Sequence, residues 1–388
     1  MTTKVDYRAP RRDRSFSAPP GQLLGGLRPG EFLERHWQKK PLLIRRAIPA
    51  FESLISRGQL LEISGRPDVE SRIVLRKHGE WEVLDGPFRR RDFKILPASH
   101  WTLLVHGVNL YIPEADRLLR AFSFIPYCRL DDVMVSYAAP QGGVGPHCDS
   151  YDVFLLQAAG QRRWQIGNPK NKTLDEGAPL KILKHFEPCQ EWLLEPGDML
   201  YLPPGYAHNG IAVDACMTYS IGFRAPSARE LGCAFLAYLE DTLQLAGQYR
   251  DPDLKATSDP GRIGKGMLDQ VAQMLDEIRW SRADVERFLG CYLTEPKAHI
   301  FFDAPAAPLN LNEFEQRARS SGLTLDPKAQ MLFRSGTVFM NGEARALGKS
   351  KALRQLANER ALAPTSTIDN NAIQLLYEWY LAGFLHLA

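Results

Sequence analysis

The 388 residues contain no Cys-x-x-Cys pair, and the six cysteines (Cys128, Cys148, Cys189, Cys216, Cys233 and Cys291) are scattered. That spacing argues against a zinc ribbon and against a disulfide framework, and it fits a reducing, cytoplasmic compartment. No apolar run approaches the roughly 20 residues of a membrane helix. No apolar stretch follows Met1 as a secretory signal would require, so no membrane contact is expected. Charge of one sign is also missing. The net charge is only +3, which excludes a polycation, and charged residues make up 24% against 44% hydrophobic, the profile of a globular chain. Internal repeats are absent.

Charge is instead local. Residues 1–20 carry Lys4, Arg8, Arg11, Arg12 and Arg14 with few large apolar residues, and read as a disordered basic tail. A second cluster, Arg89, Arg90, Arg91 and Lys94 in "PFRRRDFK", is either a solvated face or a patch that attracts an RNA-rich or acidic partner.

The ordered part opens with helical spacing of Phe32, Leu33, His36 and Trp37, ended by Pro41 before a short strand "LLI". Residues 72–95 alternate around His-Gly and Asp-Gly turns and predict hairpins, and "ADRLLRAFSFIP" reads as helical up to Pro126. From Val133 to Phe223 many short apolar runs alternate with Gly and Pro. That texture predicts a β-sandwich or barrel, of a length that fits a double-stranded β-helix, the cupin jelly roll. After Pro226 the pattern turns helical, with Leu268, Val271, Leu275 and Ile278 on one stripe and a capping box at Ser281 and Asp284. An Asn-Gly turn at 341–342 then predicts a hairpin, followed by helical patterns to the end. Helices flanking a hairpin fit a small winged-helix-like domain, and the whole chain reads as α+β.

The chemistry sits in "GVGPHCDSYDVF". Side chains two apart on a strand share a face, so His147 and Asp149 can aim at one point. They would form two thirds of the 2-His-1-carboxylate triad of non-heme Fe(II) oxygenases, which leaves three metal positions open. Alone, the pair is weak. His208, after the Pro-Gly-Asp turn and apolar strand of "EPGDMLYLPPGYAH", is the candidate third ligand; His185 has no comparable context. In "GQRRWQIG", Arg162 shares its face with Trp164 and Ile166 and should point inward. An inward arginine needs an anion, either a substrate carboxylate or an internal Asp or Glu.

In this order, these features resemble the JmjC-domain 2-oxoglutarate oxygenases. More narrowly, the chain is similar to the bacterial ribosomal oxygenases that hydroxylate an arginine of the large-subunit ribosomal protein uL16. "EFLERHWQKKPLLI", "WTLLVHGVNL" and "YSIGFRAPSARELG" extend the similarity over nearly the whole chain. The resemblance implies Fe(II) held by His147, Asp149 and His208, with 2-oxoglutarate and O₂ as co-substrates and the far carboxylate of 2-oxoglutarate on Arg162. It implies a catalytic domain over 21–228, a helical dimerisation segment over 229–290 that makes a homodimer, and the winged-helix-like domain over 291–388. Relatives often carry Asn on the strand after the second histidine; here Thr218 stands there, able to donate to a bound oxoacid, with Ser220 and Ser136 as substitutes. Tyr137 and Tyr151 are candidates for packing against the substrate side chain, or ordinary barrel aromatics. Competing readings are a histidyl hydroxylase or N-methyl-lysine demethylase on the same barrel, a non-catalytic ribosome-binding module, and a cupin isomerase.

Overall fold

The computed structural model describes residues 20–168, 171–365 and 368–388. The basic tail expected over 1–20 lies outside them except for Pro20. The chain divides into two units, one running to Ala225 with Ala298–Phe301, the other comprising Pro226–Lys297 and Phe302–Ala388.

The first unit starts with helices α1 (Pro20–Leu23) and α2 (Pro29–Arg35), strand β1 (Leu42–Ile44) and helix α3 (Arg57–Ile63). Strands β2 (Ser71–Lys77), β3 (Glu80–Asp85) and β4 (Trp101–Val105) and helix α4 (Pro113–Arg120) follow. The jelly roll is then completed by β5 (Leu130–Ala138), β6 (His147–Cys148), β7 (Val153–Ala159), β8 (Arg162–Gly167), β9 (Gln190–Leu194), β10 (Met199–Leu202), β11 (Ala207–Ala212) and β12 (Cys216–Phe223). An eight-stranded sheet in the order β1-β10-β7-β12-β5-β4-β2-β3 faces a four-stranded sheet in the order β6-β11-β8-β9.

The two faces of the large sheet meet different cores, which is why β12 is buried along its whole length and β7 along nearly all of it. Between the sheets lie Val153, Leu155, Trp164, Ile166, Leu194, Leu200 and Leu202. On the outer face α2 seats Phe32 against Tyr201 and Phe154, with ring centroids 4.9 and 5.4 Å away. The Tyr201 hydroxyl donates to the buried Asp152 at 2.6 Å and accepts from the Gln38 backbone N–H at 2.8 Å, tying the N-terminal segment to the barrel.

Two expectations for this unit change. The His78-Gly79 hairpin forms, with both residues at positive φ, but Asp85-Gly86 does not turn a second one. Gly86 instead donates to the Ser71 carbonyl and Phe88 is buried, which takes the chain away from the sheet. Helix α4 stops at Arg120 rather than running to Pro126. Tighter turns (Ser123 N–H to Arg120 O, Ile125 N–H to Phe122 O) drop Phe122 and Ile125 into the core.

The second unit contains α5 (Ala228–Thr242), α6 (Lys265–Asp276), α7 (Arg282–Thr294) and α8 (Leu311–Ser321), then β13 (Leu323–Leu325), β14 (Met331–Arg334), β15 (Thr337–Met340) and β16 (Glu343–Ala346), and finally α9 (Lys351–Glu359), β17 (Ala361–Leu362), α10 (Asn370–Leu381) and β18 (Leu385–Leu387). The capping box at Ser281 and Asp284 starts α7 as the sequence predicts. Asn341-Gly342 makes the β15–β16 hairpin. The terminal helix ends early: Gly383 takes a positive φ and the last residues pair with β13. The boundary expected at 290/291 falls inside α7. That helix packs on the β14–β16 meander, where a Cβ at Gly290 would lie 2.4 Å from the Phe339 ring. Gly290→Ala is therefore expected to cost about 1–3 kcal/mol by overpacking, read as a lower urea midpoint of the full chain.

Candidate active site

Strand β11 assembles the site by pairing on both sides. Toward β6 it sets His208 directly opposite His147. Toward β8 it sets His208 opposite Ile166, Gly210 opposite Trp164 and Ala212 opposite Arg162. The two imidazoles are therefore cross-strand neighbours, with ring centroids 4.2 Å apart. Their second nitrogens are held by backbone carbonyls, His147 Nδ1 by Gly145 at 2.9 Å and His208 Nδ1 by Tyr206 at 3.2 Å. With Nδ1 as the donor in each, both Nε2 lone pairs are left to face Asp149.

Asp149 does not sit on the strand as the H-x-D alternation assumed. β6 ends at Cys148, and Asp149 follows it, its carbonyl accepting from the Gly205 N–H at 2.8 Å. Its carboxylate still reaches the site: Oδ1 is 3.8 Å from His147 Nε2 and Oδ2 is 3.6 Å from His208 Nε2. One donor atom from each of the three residues lies within 4.8 Å of the others. His208 is 3% exposed. Burial and the neighbouring His147 hold its pKa down at about 4, against the opposing pull of Asp149, so its Nε2 carries no proton at neutral pH. Two histidines and one aspartate suit a divalent first-row metal with open positions.

Arg162 turns inward as alternation predicts and is 5% exposed. Its Nε and Nη2 have no hydrogen-bonding partner among the described residues. Those two N–H groups form the side-on fork that matches a carboxylate. Among the described residues no Asp or Glu takes up that fork, which was the structural alternative. Four residues of strand, about 13 Å, separate the His208 row from the Arg162 row. The guanidinium carbon lies 5.7 Å from the Trp164 ring, so part of that gap is filled from the arginine end. The remainder suits a short dicarboxylate that reaches both the metal position and the arginine.

The remaining sequence candidates divide. Ser136, Thr218 and Gln157 form one cross-strand row on β5, β12 and β7. The Thr218 hydroxyl donates to Gln157 Oε1 at 3.0 Å, so its proton is not available to an oxoacid; the expected donor role fails because Gln157 takes it. Ser220 shares the inner face with Thr218. Tyr137 is also corrected. It follows Ser136 and so turns to the opposite face, between the Trp101 ring at 5.5 Å and the Arg57 guanidinium at 4.7 Å. Tyr151 is half-exposed beside Asp149. Burial and the charges of Asp149, Asp132 and Asp131 push its hydroxyl pKa above the ordinary value. Asp131 and Asp132, missed in the sequence, carried no signal there beyond being two adjacent acids. Gln157 and Gly210 were missed as well, since only the register shows what they touch.

A jelly roll carrying this triad defines the class, and comparison with known proteins agrees. The JmjC domain matches at residues 117–231 and the ROXA-like winged helix at residues 277–386. The ribosomal protein uL16 3-hydroxylase of Escherichia coli is 33% identical over 336 residues, 86% of this chain and 89% of that protein. A probable ribosomal oxygenase of Haemophilus influenzae is 37% identical over 231 residues, 58% of this chain and 55% of that one. A structure of the E. coli ribosomal oxygenase YcfD in complex with cobalt and 2-oxoglutarate superposes with a TM-score of 0.78 at 32% identity, covering 93% of this chain and 98% of that one. The chain belongs to the JmjC-domain ribosomal oxygenases.

An unpaired buried guanidinium is costly until an anion arrives. Arg162→Met is expected to raise the stability of the ligand-free chain by about 1 kcal/mol and to abolish the stabilisation that succinate gives the parent. Urea denaturation with and without succinate checks both.

Proposed function

We propose that this chain is an Fe(II)- and 2-oxoglutarate-dependent protein hydroxylase that hydroxylates an arginine side chain of a large-subunit ribosomal protein of the uL16 type. The reaction consumes 2-oxoglutarate and O₂ and yields succinate, CO₂ and the hydroxylated side chain. One observation carries the reading: the His147–Asp149–His208 cluster and the unpaired Arg162 fork line the same barrel interior. Iron, when bound, would supply the activation of O₂ that an unreactive C–H bond requires. His147, Asp149 and His208 would hold it from one side, leaving the other open. Arg162 would take the far carboxylate of 2-oxoglutarate, with Ser136 and Ser220 lining the walls. Thr218, its proton given to Gln157, would be a wall rather than a donor.

The choice of arginine over the histidine of a histidyl hydroxylase, and of hydroxylation over N-methyl-lysine demethylation, is supported by the 33% identity to a uL16 3-hydroxylase. Tyr151 stands beside Asp149, while the nearby Asp131 and Asp132 are engaged by Arg224 at 3.6 Å and by the Gly107 N–H at 2.8 Å. A pure binding module has no use for a buried unpaired arginine next to a metal triad, and a cupin isomerase would need neither O₂ nor an oxoacid.

In the second unit, Leu268, Val271 and Leu275 on α6, Leu236 on α5 and Trp280 are exposed apolar residues. They support a homodimer built on the 229–290 segment. The exposed Arg89, Arg90, Arg91 and Lys94 support contact with the ribosome or rRNA. No helix among the described residues is long and apolar enough to cross a membrane. A ribosomal substrate and six free cysteines support a cytoplasmic enzyme.

Mass spectrometry of uL16 incubated with the chain, Fe(II), 2-oxoglutarate and O₂ is expected to show one added oxygen on an arginine. His208→Ala should abolish that product together with substrate-dependent succinate; product on a histidine or lost methyl groups on lysine would favour the alternatives. Leu268→Glu combined with Leu275→Glu is expected to halve the mass seen by light scattering while leaving succinate formation in place.

A further inference from the structure

We infer that the Trp164 indole N–H is a second anchor for the far carboxylate of the oxoacid, and that Gly210 fixes where this anchor stands. The inference rests on the oxoacid site proposed above and adds a residue to it. Trp164 is 5% exposed and its Nε1 has no hydrogen-bonding partner among the described residues. A buried donor left unpaired costs about 1–3 kcal/mol, and buried tryptophans ordinarily find an acceptor. A phenylalanine would fill most of the same space without that cost.

The position of the ring says which acceptor is missing. Trp164 is two residues from Arg162 on β8 and shares its inward face. Its centroid lies 5.7 Å from the Arg162 guanidinium carbon and 5.8 Å from the His208 ring, so it stands between the arginine and the metal ligands. Across the ladder is Gly210, where a Cβ would come within 2.7 Å of the ring atoms Cη2 and Cζ3. The face of the benzo ring thus lies directly on β11 at Gly210, with Cε3 also only 3.0 Å from that position. A carboxylate has about four lone-pair sites. The Arg162 fork uses two and leaves others for a donor beside it. Three buried N–H groups without a partner among the described residues, on neighbouring inward positions of β8, fit one anion.

The ring also gauges length. Because Gly210 leaves the indole no room to retreat toward β11, its N–H stays at a fixed height between the metal position and Arg162. The anchor would thereby select a co-substrate whose second carboxylate reaches that height.

The test uses the full chain loaded with redox-inert Zn(II), titrated calorimetrically with 2-oxoglutarate and with 2-oxopentanoate, which lacks the far carboxylate. Trp164→Phe is expected to weaken 2-oxoglutarate about tenfold, the loss of one hydrogen bond to a charged group, and to leave Zn(II) and 2-oxopentanoate affinities unchanged. In ¹H–¹⁵N spectra of the parent, the assigned Trp164 indole signal should move downfield as 2-oxoglutarate saturates; this reading does not depend on the variant folding. Undiminished 2-oxoglutarate affinity in Trp164→Phe, or a stationary indole signal, would overturn the anchor while leaving the site. A parent that does not bind 2-oxoglutarate, or Arg162→Gln that binds it as tightly as the parent, would overturn the oxoacid site itself and the anchor with it.

Discussion

The register of β11 against its two neighbours is the constraint on which the rest of the site depends. One strand with β6 on one side and β8 on the other puts His208 beside His147, Gly210 under Trp164 and Ala212 beside Arg162. A slip of one residue would send every one of these side chains to the opposite face. The long run of buried residues on β7, β10 and β12 holds the facing sheet in place, so the register is set by the same apolar packing that makes the barrel.

Buried charge is treated in two ways in this unit. Asp152 receives hydrogen bonds from Tyr201 and Gln38, and Asp198 meets Arg45 and the Arg46 backbone N–H. These groups are satisfied, and they join the N-terminal segment to the barrel. Arg162 is the contrast: it is as deeply buried, but its fork has no protein acceptor among the described residues. The first kind of charge specifies the fold, and the second, under the proposed function, is kept for a ligand.

Much of this was legible in the sequence because period-two alternation carries direction. The inward turn of Arg162 follows from Trp164 and Ile166, and His208 follows from the Pro-Gly-Asp turn and the apolar strand before it. Alternation also contained the correction to Tyr137: Ser136 and Tyr137 are adjacent on one strand and cannot both face the interior. What was not legible depends on strands distant in sequence. Gln157 captures the Thr218 proton from β7, and the ring held over Gly210 comes from β8. The early end of α4 was hidden because Phe122 and Ile125 continue a helical apolar pattern while reaching the core through tighter turns. The boundary expected at 290/291 falls within α7 because that helix continues past the helical segment and packs on the meander.

The place of Asp149 gives the three ligands unequal stiffness. Both histidines belong to a hydrogen-bonded ladder and have their rings pinned by carbonyls. Asp149 comes after the strand has ended, on a turn joined to the barrel by the Gly205 N–H. The mount therefore has two fixed legs and one sprung leg. Ions of different radius would be accommodated by travel of the carboxylate, with the imidazoles hardly moving. A change in the turn after β6 would therefore shift the carboxylate leg and leave the two imidazoles where the ladder holds them.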